Sequence, residues 1–268
     1  IGGLLILGGL LKKLVFADNL ALVVDPAFAI PDYAAPLELL IATYFFAFQI
    51  YCDFSGYTDL ALGLSLIFGL ALPPNFAKPY LCASVGRFWA ECWHITLGKW
   101  FRDYVFIPLG GSRAGRLRTV VNLMTVFALS GLWHSGLGYG AGAGFLVWGL
   151  LNGAFVAIEQ ALPDAPKTRI VTALRVLITF HLILLTWVFF RAGDLDDAFT
   201  ILRRVSLALP SAPDVLAQYP FTAQHFIGAG LIVGLLLAEV ITGNVALHRR
   251  VLALPRPARW SLVYAGMA

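Results

Sequence analysis

The sequence predicts an all-α, polytopic membrane protein built as a helical bundle. Of its 268 residues, 59% are hydrophobic and 13% are charged, and the mean hydropathy is +0.81. Soluble domains contain about 45–50% apolar and about 25% charged residues. The apolar stretches are long and continuous, whereas a membrane β-barrel needs strands of alternating polarity. Helices must therefore satisfy the backbone in lipid, and soluble multidomain classes are excluded.

Windows of about 20 apolar residues indicate where the chain crosses the membrane. The candidate spans are 1–24, 37–52, 57–72, 119–133, 140–162, 170–190 and 221–242, with another beginning near residue 260. Lys12 and Lys13 interrupt the first of them. Residues 37–72 form either two short helices broken at "DFSG" or one long helix. We expect a single membrane domain over residues 1–268, and a fragment, because the chain starts without methionine inside an apolar run.

Basic residues indicate the sidedness of the loops. They collect at Arg113, Arg116 and Arg118, and also within 167–175, at 203–204 and at 248–250. Such loops tend to be cytoplasmic, but these four cannot all be so unless some intervening apolar segments are re-entrant. The net charge of +4 is explained by this topology and by lipid headgroups. No aromatic–basic nucleic-acid motif is present, so no nucleic-acid partner is expected.

Residues 81–111 differ from the spans because they combine aromatic and charged side chains. On a helix, one face would carry Trp89, Trp93, Leu97, Trp100 and Tyr104, and another would carry Arg87, Glu91, His94, Gly98 and Arg102. The spacing predicts an amphipathic helix over 89–104 that lies at the interface or folds back, without crossing. A simple interfacial anchor is the alternative.

Two histidines are the candidate catalytic residues. His94 lies in "FWAECWHITLGKW" and His134 in "LSGLWHSG", each beside a tryptophan. Imidazole transfers protons near neutral pH, and it is costly in a bilayer unless it faces protein or water. No nucleophile elbow, phosphate loop or clustered metal ligands are visible, so no metal is expected. A general base that activates a bound hydroxyl for direct acyl transfer is favoured.

Asp53 and Asp59 lie beside or within apolar segments, where a charge is costly unless it is paired or hydrated. They are candidate substrate contacts, but a structural salt bridge or cap, for instance Asp59 with Arg87 or Arg102, is slightly favoured. The three cysteines are interpreted as small apolar residues, because their number is odd and metal-type spacing is absent.

Several motifs, in order, resemble the membrane-bound O-acyltransferase (MBOAT) family. They are "KKLVFADNLA", "QIYCDFSGYTDLALGLSLIFGLALPPNFAKPY", "WHITLGKWFRDYVFIPLGG", "GLWHSG…FLVWGLLNG" and "WVFFRAGDLDDAFTIL", which together cover roughly residues 11–202. Within the family, the sequence is similar to the bacterial branch that O-acetylates alginate and to its teichoic-acid D-alanine transferase relative. Family members often have histidine at the position of Asn152.

The resemblance implies a ring of helices around a thinned centre, with re-entrant or interfacial helices. It implies that His134 is the catalytic base and that His94 lines the site. Candidate substrate contacts are Asp53, Asp59, Trp133, Ser135 and Asn152. Acetyl-CoA is the implied donor, with its phosphates near Arg113, Arg116 and Arg118, and no permanently bound cofactor is expected. The implied surroundings are the bilayer of a bacterial inner membrane, crossed several times, a separate extracytoplasmic acyl-transfer partner and an exported polysaccharide.

Other functions fit some of these residues. A transporter with a histidine–carboxylate proton relay would use Asp53, Asp59 and His94, although it predicts two similar halves and the sequence shows no internal repeat. Binding of haem by two histidines is a further possibility. Within acyl transfer, alginate, another exopolysaccharide, peptidoglycan or a teichoic acid would be equally compatible acceptors, and D-alanyl transfer is the alternative to acetyl transfer.

Overall fold

A computed structural model describes residues 2–113, 115–136, 142–163, 166, 168–208, 217–242, 255 and 257–258. Its α-helices are α1 (Gly2–Leu10), α2 (Asp18–Ala29), α3 (Pro36–Ile67), α4 (Val85–Arg87), α5 (Ile95–Phe101), α6 (Arg116–Ser135), α7 (Gly142–Ala161), α8 (Arg169–Arg191), α9 (Leu195–Ala208) and α10 (Ala223–Thr242). Shorter turns are the π-helical Leu11–Ala17, Phe88–Cys92 and Arg102–Phe106 and the 3₁₀ turn Pro79–Leu81. No strand occurs in the described ranges, which confirms the all-α prediction.

Four of these helices are long and apolar enough to cross a membrane: α3, α7, α8 and α10. The last three confirm the apolar helices predicted at 140–162, 170–190 and 221–242. The ambiguous stretch 37–72 forms one continuous helix of 32 residues, α3. The predicted span 119–133 forms α6, which is not among the four. The candidate near residue 260 lies outside the described residues.

The chain divides into two compact units. The first unit comprises residues 1–23, 45–74 and 220–268, and the second comprises 24–44 and 75–219. Helices α2 and α3 therefore contribute residues to both units, because each is cut by a unit boundary. The glycines and the paired lysines described next belong to the first unit, and both candidate histidines belong to the second.

Glycines let α1 approach the second half of α3 closely in the first unit. A Cβ atom at Gly9 would lie 2.6 Å from the carbonyl oxygen of Gly56, and one at Gly56 would lie 2.8 Å from that of Gly9. Gly2 and Gly63 form a second such pair, at 2.7 and 2.6 Å. No side chain fits at these contacts, and small residues at such positions are typical of helix packing in lipid.

Ion pairs surround this contact. Lys12 Nζ lies 2.7 Å from Asp59 Oδ2, and Lys13 Nζ lies 2.7 Å from Asp53 Oδ1 and 2.9 Å from Asp18 Oδ1. Hydrogen bonds to Asp53 and Asp18 raise the pKa of Lys13 well above its ordinary value. The favoured structural role of the two aspartates in ion pairs thus fits the structure, but the suggested partners for Asp59 were wrong.

Those suggested partners, Arg87 and Arg102, bind acidic residues close to them in the chain. Arg87 Nε lies 3.0 Å from Glu91 Oε2, and Arg102 Nε lies 2.8 Å from Asp103 Oδ1. Arg87 and Glu91 form a pair at positions i and i+4, whereas Asp103 pairs with its neighbour in the chain. These side chains are exposed, and such surface pairs contribute little to stability.

Helices α6, α7 and α8 form the core of the second unit. A Cβ atom at Gly131 of α6 would lie 2.5 Å from the carbonyl oxygen of Phe145, and one at Gly149 of α7 would collide with the carbonyl oxygen of Phe127. The two helices therefore touch through their backbones. This contact brings the last turn of α6, which carries His134, against the first half of α7.

The prediction of one helix over 89–104 was wrong. The π-helical turn Phe88–Cys92 ends at Trp93, which is extended (φ −124°, ψ 125°), and His94 adopts a left-handed conformation (φ 44°, ψ 52°) before α5 begins. The two predicted faces therefore do not continue through this segment: Trp93 is buried, whereas Trp100 and Tyr104 are exposed.

The interpretation of all three cysteines as small apolar residues was also wrong. Cys82 and Cys92 are disulfide-bonded, across the turn that precedes His94. Cys52 is a buried free thiol in α3, as predicted. Sequence spacing alone did not reveal the bond, since the chain between the two cysteines doubles back through the short helix α4 and the π-helical turn Phe88–Cys92.

Candidate active site

His134 is oriented by its own helix. It is the penultimate residue of α6, and its ring Nδ1 lies 2.7 Å from the carbonyl oxygen of Ser130, one turn earlier. Because a carbonyl can only accept, Nδ1 carries the proton in this contact, and the neutral ring then presents Nε2 as an acceptor. This is the tautomer that a general base requires, with the reactive nitrogen directed away from the helix backbone.

Aromatic rings surround the imidazole of His134. Ring centroids lie 4.8 Å away for Trp133, 5.0 Å for Trp148, 5.5 Å for Phe190 and 6.3 Å for Phe145. Trp148 and Phe145 are buried in α7, and Phe190 is at the end of α8. Three helices thus supply one wall, which excludes water and strengthens electrostatic interactions inside it.

His94 belongs to the same unit and lies where the helical conformation is interrupted between the π-helical turn Phe88–Cys92 and α5. A non-glycine residue in the left-handed region costs free energy of order 1–3 kcal/mol and persists only where its surroundings hold it. The preceding Trp93 supplies one such hold, since its ring centroid lies 5.1 Å from that of buried Trp187 in α8. Strain of this kind is common at functional sites, which supports the selection of His94.

The two histidines interact electrostatically. Burial, and secondarily the charge that His134 can carry, lower the pKa of His94 to about 4. His94 is therefore neutral near pH 7, so it can donate or accept a hydrogen bond without adding positive charge beside His134. The structure brings these two predicted catalytic residues together within one unit.

Trp133 and Ser135, which flank His134, were predicted to contact substrate. The Trp133 side chain is 47% exposed and packs edge-on against the imidazole, so it can cover a bound molecule at the site. The Ser135 hydroxyl donates to the carbonyl oxygen of Leu132 at 2.6 Å. That bond leaves the oxygen of Ser135 as an acceptor for a substrate hydroxyl.

Asn152 was predicted to contact substrate, but the structure places its side chain inside the protein. It is fully buried in α7, and its Oδ1 accepts from the indole Nε1 of Trp89 at 3.0 Å while its Nδ2 donates to the carbonyl oxygen of Trp148 at 2.8 Å. Both ends of the amide are thus used inside the protein. Asp53 and Asp59 belong to the first unit and are ion-paired there.

The arginines predicted to bind the donor cluster at the beginning of α6. Arg113 precedes the helix, Arg116 and Arg118 are in its first turn, and all three are exposed. The uncapped helix start at Gly115 adds the positive end of the helix dipole. His134 lies at the other end of this 20-residue helix, about 30 Å away at 1.5 Å per residue.

The residues that sequence reasoning missed are the aromatic ones that shape the site. Trp148 and Trp187 have stacked rings 6.1 Å apart, and Trp89 contacts both edge-on, at 5.3 and 6.2 Å. The apolar context of Trp148 and Trp187 predicted only that they are buried in membrane spans. The available signal was the tryptophan that directly precedes each candidate histidine, Trp93 and Trp133.

Comparisons with known proteins agree with the motifs. The sequence matches the membrane-bound O-acyltransferase family, MBOAT, over residues 3–192. Peptidoglycan O-acetyltransferase of Helicobacter pylori is 40% identical over 198 residues, which are 73% of this chain and 36% of that protein. A probable alginate O-acetylase AlgI of Azotobacter vinelandii is 42% identical over 193 residues, 71% of this chain and 37% of that protein.

A more distant relative is the teichoic acid D-alanyltransferase of Bacillus subtilis, which is 30% identical over 159 residues, 54% of this chain and 38% of that protein. The chain spans little more than a third of the length of these three relatives. Both histidines, the aromatic wall and the arginine cluster fall inside the matched residues. The chain therefore belongs to the membrane-bound O-acyltransferase family.

Proposed function

We propose that this chain carries the catalytic core of an O-acyltransferase of a bacterial inner membrane, crossed several times by the protein. In this proposal it transfers acetyl groups from cytoplasmic acetyl-CoA toward an exported polysaccharide such as alginate, with His134 as general base. The observation that carries the proposal is the bond from His134 Nδ1 to the carbonyl of Ser130, which leaves Nε2 as acceptor inside an aromatic wall.

The chemistry follows from that geometry. Nε2 of His134 takes the proton of an acceptor hydroxyl as its oxygen attacks the thioester carbonyl of the donor. The tetrahedral intermediate then collapses, the C–S bond breaks, and the thiolate of CoA takes up the proton. Neutral His94 donates a hydrogen bond to the oxygen on which negative charge develops, and the apolar wall strengthens that interaction.

The arginine cluster supplies a place for the phosphates of the donor. Three exposed cations and the start of α6 attract anions. Because this cluster and His134 are at opposite ends of α6, a donor held there must extend along the helix toward the imidazole. The positive-inside rule favours a cytoplasmic side for this basic cluster, where acetyl-CoA is available.

The acceptor is inferred from the names of the relatives, and the partner is what the family resemblance implies. Two of them are named as O-acetyltransferases or O-acetylases and one as a D-alanyltransferase, so transfer of D-alanine to a cell-wall polymer is the alternative within acyl transfer. A separate extracytoplasmic protein would receive the acyl group and pass it to the polymer.

A proton-relay transporter is less well supported. It requires Asp53 and Asp59 to exchange protons freely, but each carboxylate lies 2.7 Å from a lysine. Each carboxylate is therefore already engaged in an ion pair with a lysine of the same unit, which is a structural role.

The decisive experiment replaces the chromosomal gene with one that encodes the His134→Ala variant. The ester-linked acetate on the exported polymer is then measured. Loss of a general base lowers rates by about 10²–10⁴-fold, so acetylation should fall below detection at unchanged protein level. His181→Ala is the matched control, because His181 also bonds through Nδ1 to a carbonyl one turn earlier, at 2.8 Å. Normal acetylation by His134→Ala would refute the assignment.

The donor site is tested separately with a double variant, Arg116→Glu and Arg118→Glu, whose acetyl transfer is measured in isolated membranes. We expect the KM for acetyl-CoA to rise with little change in kcat, because uniform binding energy is lost. Arg169→Glu is the control, since Arg169 is an exposed arginine at the start of another helix, α8. If the Arg116→Glu, Arg118→Glu double variant leaves the KM for acetyl-CoA unchanged, the cluster does not bind the donor.

A further inference from the structure

The segment that carries His94 has little helix of its own to fix its position. Between Ala83 and His94 the chain forms a three-residue helix, α4, and a single π-helical turn, and then it becomes extended at Trp93. Short helices are marginal without tertiary support. Something outside the segment must therefore hold it, and α7 supplies two polar attachments.

Asn152 makes the first attachment. Its carboxamide joins the indole N–H of Trp89, at 3.0 Å, to the backbone carbonyl of Trp148, at 2.8 Å. The ring of Trp148 contacts the imidazole of His134 at 5.0 Å and the ring of Trp89 at 5.3 Å. One buried side chain thus ties the segment before His94 to the residue that packs against His134.

Glu159 makes the second attachment, two turns further along α7 and on the same face. Its Oε2 accepts from the backbone N–H of Gly86 at 2.9 Å, and its Oε1 lies 3.2 Å from Arg175 Nη2. Arg175 Nε in turn donates to the carbonyl oxygen of Ala83 at 3.0 Å. Helix α4, the residue Ala83 before it and the π-helical turn after it are consequently held by side chains of α7 and α8.

We infer that Asn152 and Glu159 are positioning residues that set His94 relative to His134 by holding residues 83–94 against α7. The inference rests on the proposed function, because it concerns the geometry of that catalytic pair. Two attachments about 10 Å apart along one helix fix both the position and the direction of the segment.

The chemistry of the pair explains why a polar residue occupies a fully buried position. The indole of Trp89 is half-buried and its N–H is directed into α7, where it needs an acceptor from the protein because an unpaired donor there is destabilising. Leucine at position 152 would fill a similar volume but accept nothing. Histidine at position 152 would instead offer a ring nitrogen that can accept the same bond.

The test compares Asn152→Leu, Asn152→His and Trp89→Phe in the protein expressed from its complete gene. Displacement of a catalytic group by about 1 Å can cost of the order of 10²-fold in rate, so Asn152→Leu should lower kcat by about 10-fold to 100-fold. The KM for acetyl-CoA should stay within about twofold, because the arginine cluster is untouched. Asn152→His should restore most of kcat, and Trp89→Phe should resemble Asn152→Leu.

Glu159→Met and Glu159→Gln extend the test to the second attachment. The methionine variant loses both bonds and should lower kcat, whereas the glutamine variant keeps an acceptor for Gly86 and should lose less. Gln160→Leu is the matched control, because Gln160 is the adjacent, exposed residue of the same helix. It should behave like the unmodified protein.

The outcomes separate this inference from the proposed function. A wild-type kcat per folded molecule in Asn152→Leu, or an equal loss in Asn152→His, overturns the positioning role while the loss caused by His134→Ala still stands. If Asn152→Leu fails to accumulate, Trp89→Phe at normal protein level decides: lowered kcat supports the role and unchanged kcat refutes it. Activity in His134→Ala would instead overturn the proposed function.

Discussion

The two units of this chain handle polar groups inside apolar surroundings in opposite ways. In the first unit, Lys12 pairs with Asp59 and Lys13 pairs with Asp53, and the nitrogen–oxygen distance is 2.7 Å in each pair. In the second unit, His134 faces aromatic rings at 4.8 to 6.3 Å, and its contact with the carbonyl of Ser130 is a backbone contact. The two aspartates of the first unit are thus compensated by opposite charge, whereas His134 of the second is surrounded by apolar rings.

The difference separates structural groups from chemical ones. Each aspartate of the first unit is held in an ion pair with a lysine, so it serves as a structural contact between segments of that unit. A neutral imidazole among aromatic rings keeps an open lone pair and can still take up a proton. Ionisable residues in apolar segments are thus best ranked by what compensates them, since their mere presence there does not indicate catalysis.

The largest effect that would sharpen this comparison is expected at the backbone contact between α6 and α7. A Cβ atom at Gly149 would collide with the carbonyl of Phe127, so Gly149→Ala must separate the two helices. We expect a loss of about 1–3 kcal/mol of stability from overpacking, and a fall in kcat of about 10²-fold as His134 leaves its aromatic wall. Thermal unfolding in detergent and acetyl transfer in membranes measure the two effects. Gly234→Ala in α10 is the control, because its Cβ would meet nothing within 4 Å.

The next effect tests whether the charges of the first unit are structural. Lys12→Met leaves Asp59 without its lysine and should cost about 1–3 kcal/mol, between the values for exposed and fully buried pairs, because the two side chains are 25% and 23% exposed. The double variant Lys12→Met with Asp59→Leu should regain most of that stability. Activity per folded molecule should not change in either. Lower specific activity at normal stability in Asp59→Asn would break the comparison and favour the proton relay.

The smallest expected effect is a pH dependence confined to the second unit. The pKa of His94 is about 4 in the folded protein and about 6.5 when unfolded. Below pH 6.5 the unfolded state therefore binds more protons, so stability is complete above that pH and declines as the pH falls toward 4. Between pH 7 and pH 5 the loss should be about 1–2 kcal/mol. His94→Gln should flatten this dependence in thermal unfolding, and an unchanged slope would show that His94 is already hydrated.

Much of the fold could be predicted because it follows from hydropathy. Long apolar runs predicted α7, α8 and α10 to within a few residues, since each run alone meets the length that a membrane requires. The continuity of α3 could not be predicted, because Ser55 and Gly56 permit a break that tertiary packing prevents: Gly56 lies against Gly9 of α1. The break at Trp93–His94 was missed for the converse reason, as an unbroken helical pattern concealed a left-handed residue.

The candidate site divides in the same way. His94 and His134 could be found because histidine is rare in this chain and costly in lipid. The role of Asn152 could not be found, because polarity in a span suggests exposure to substrate, whereas contacts show that both ends of its amide are bonded internally. Partners distant in sequence, such as Glu159 for Gly86, leave no local pattern at all.

The paired glycines of the first unit have a consequence for how the protein meets bilayers of different thickness. Gly2 packs against Gly63 and Gly9 packs against Gly56. The two contacts are about 10 Å apart along the helix axes. A helix of 32 residues is about 48 Å long, which exceeds a hydrocarbon core of about 30 Å. Since the two backbones cannot slide past each other at these points, α1 must follow α3 whenever α3 tilts. A thinner membrane would then change the inclination of the pair as one body, without changing its internal alignment.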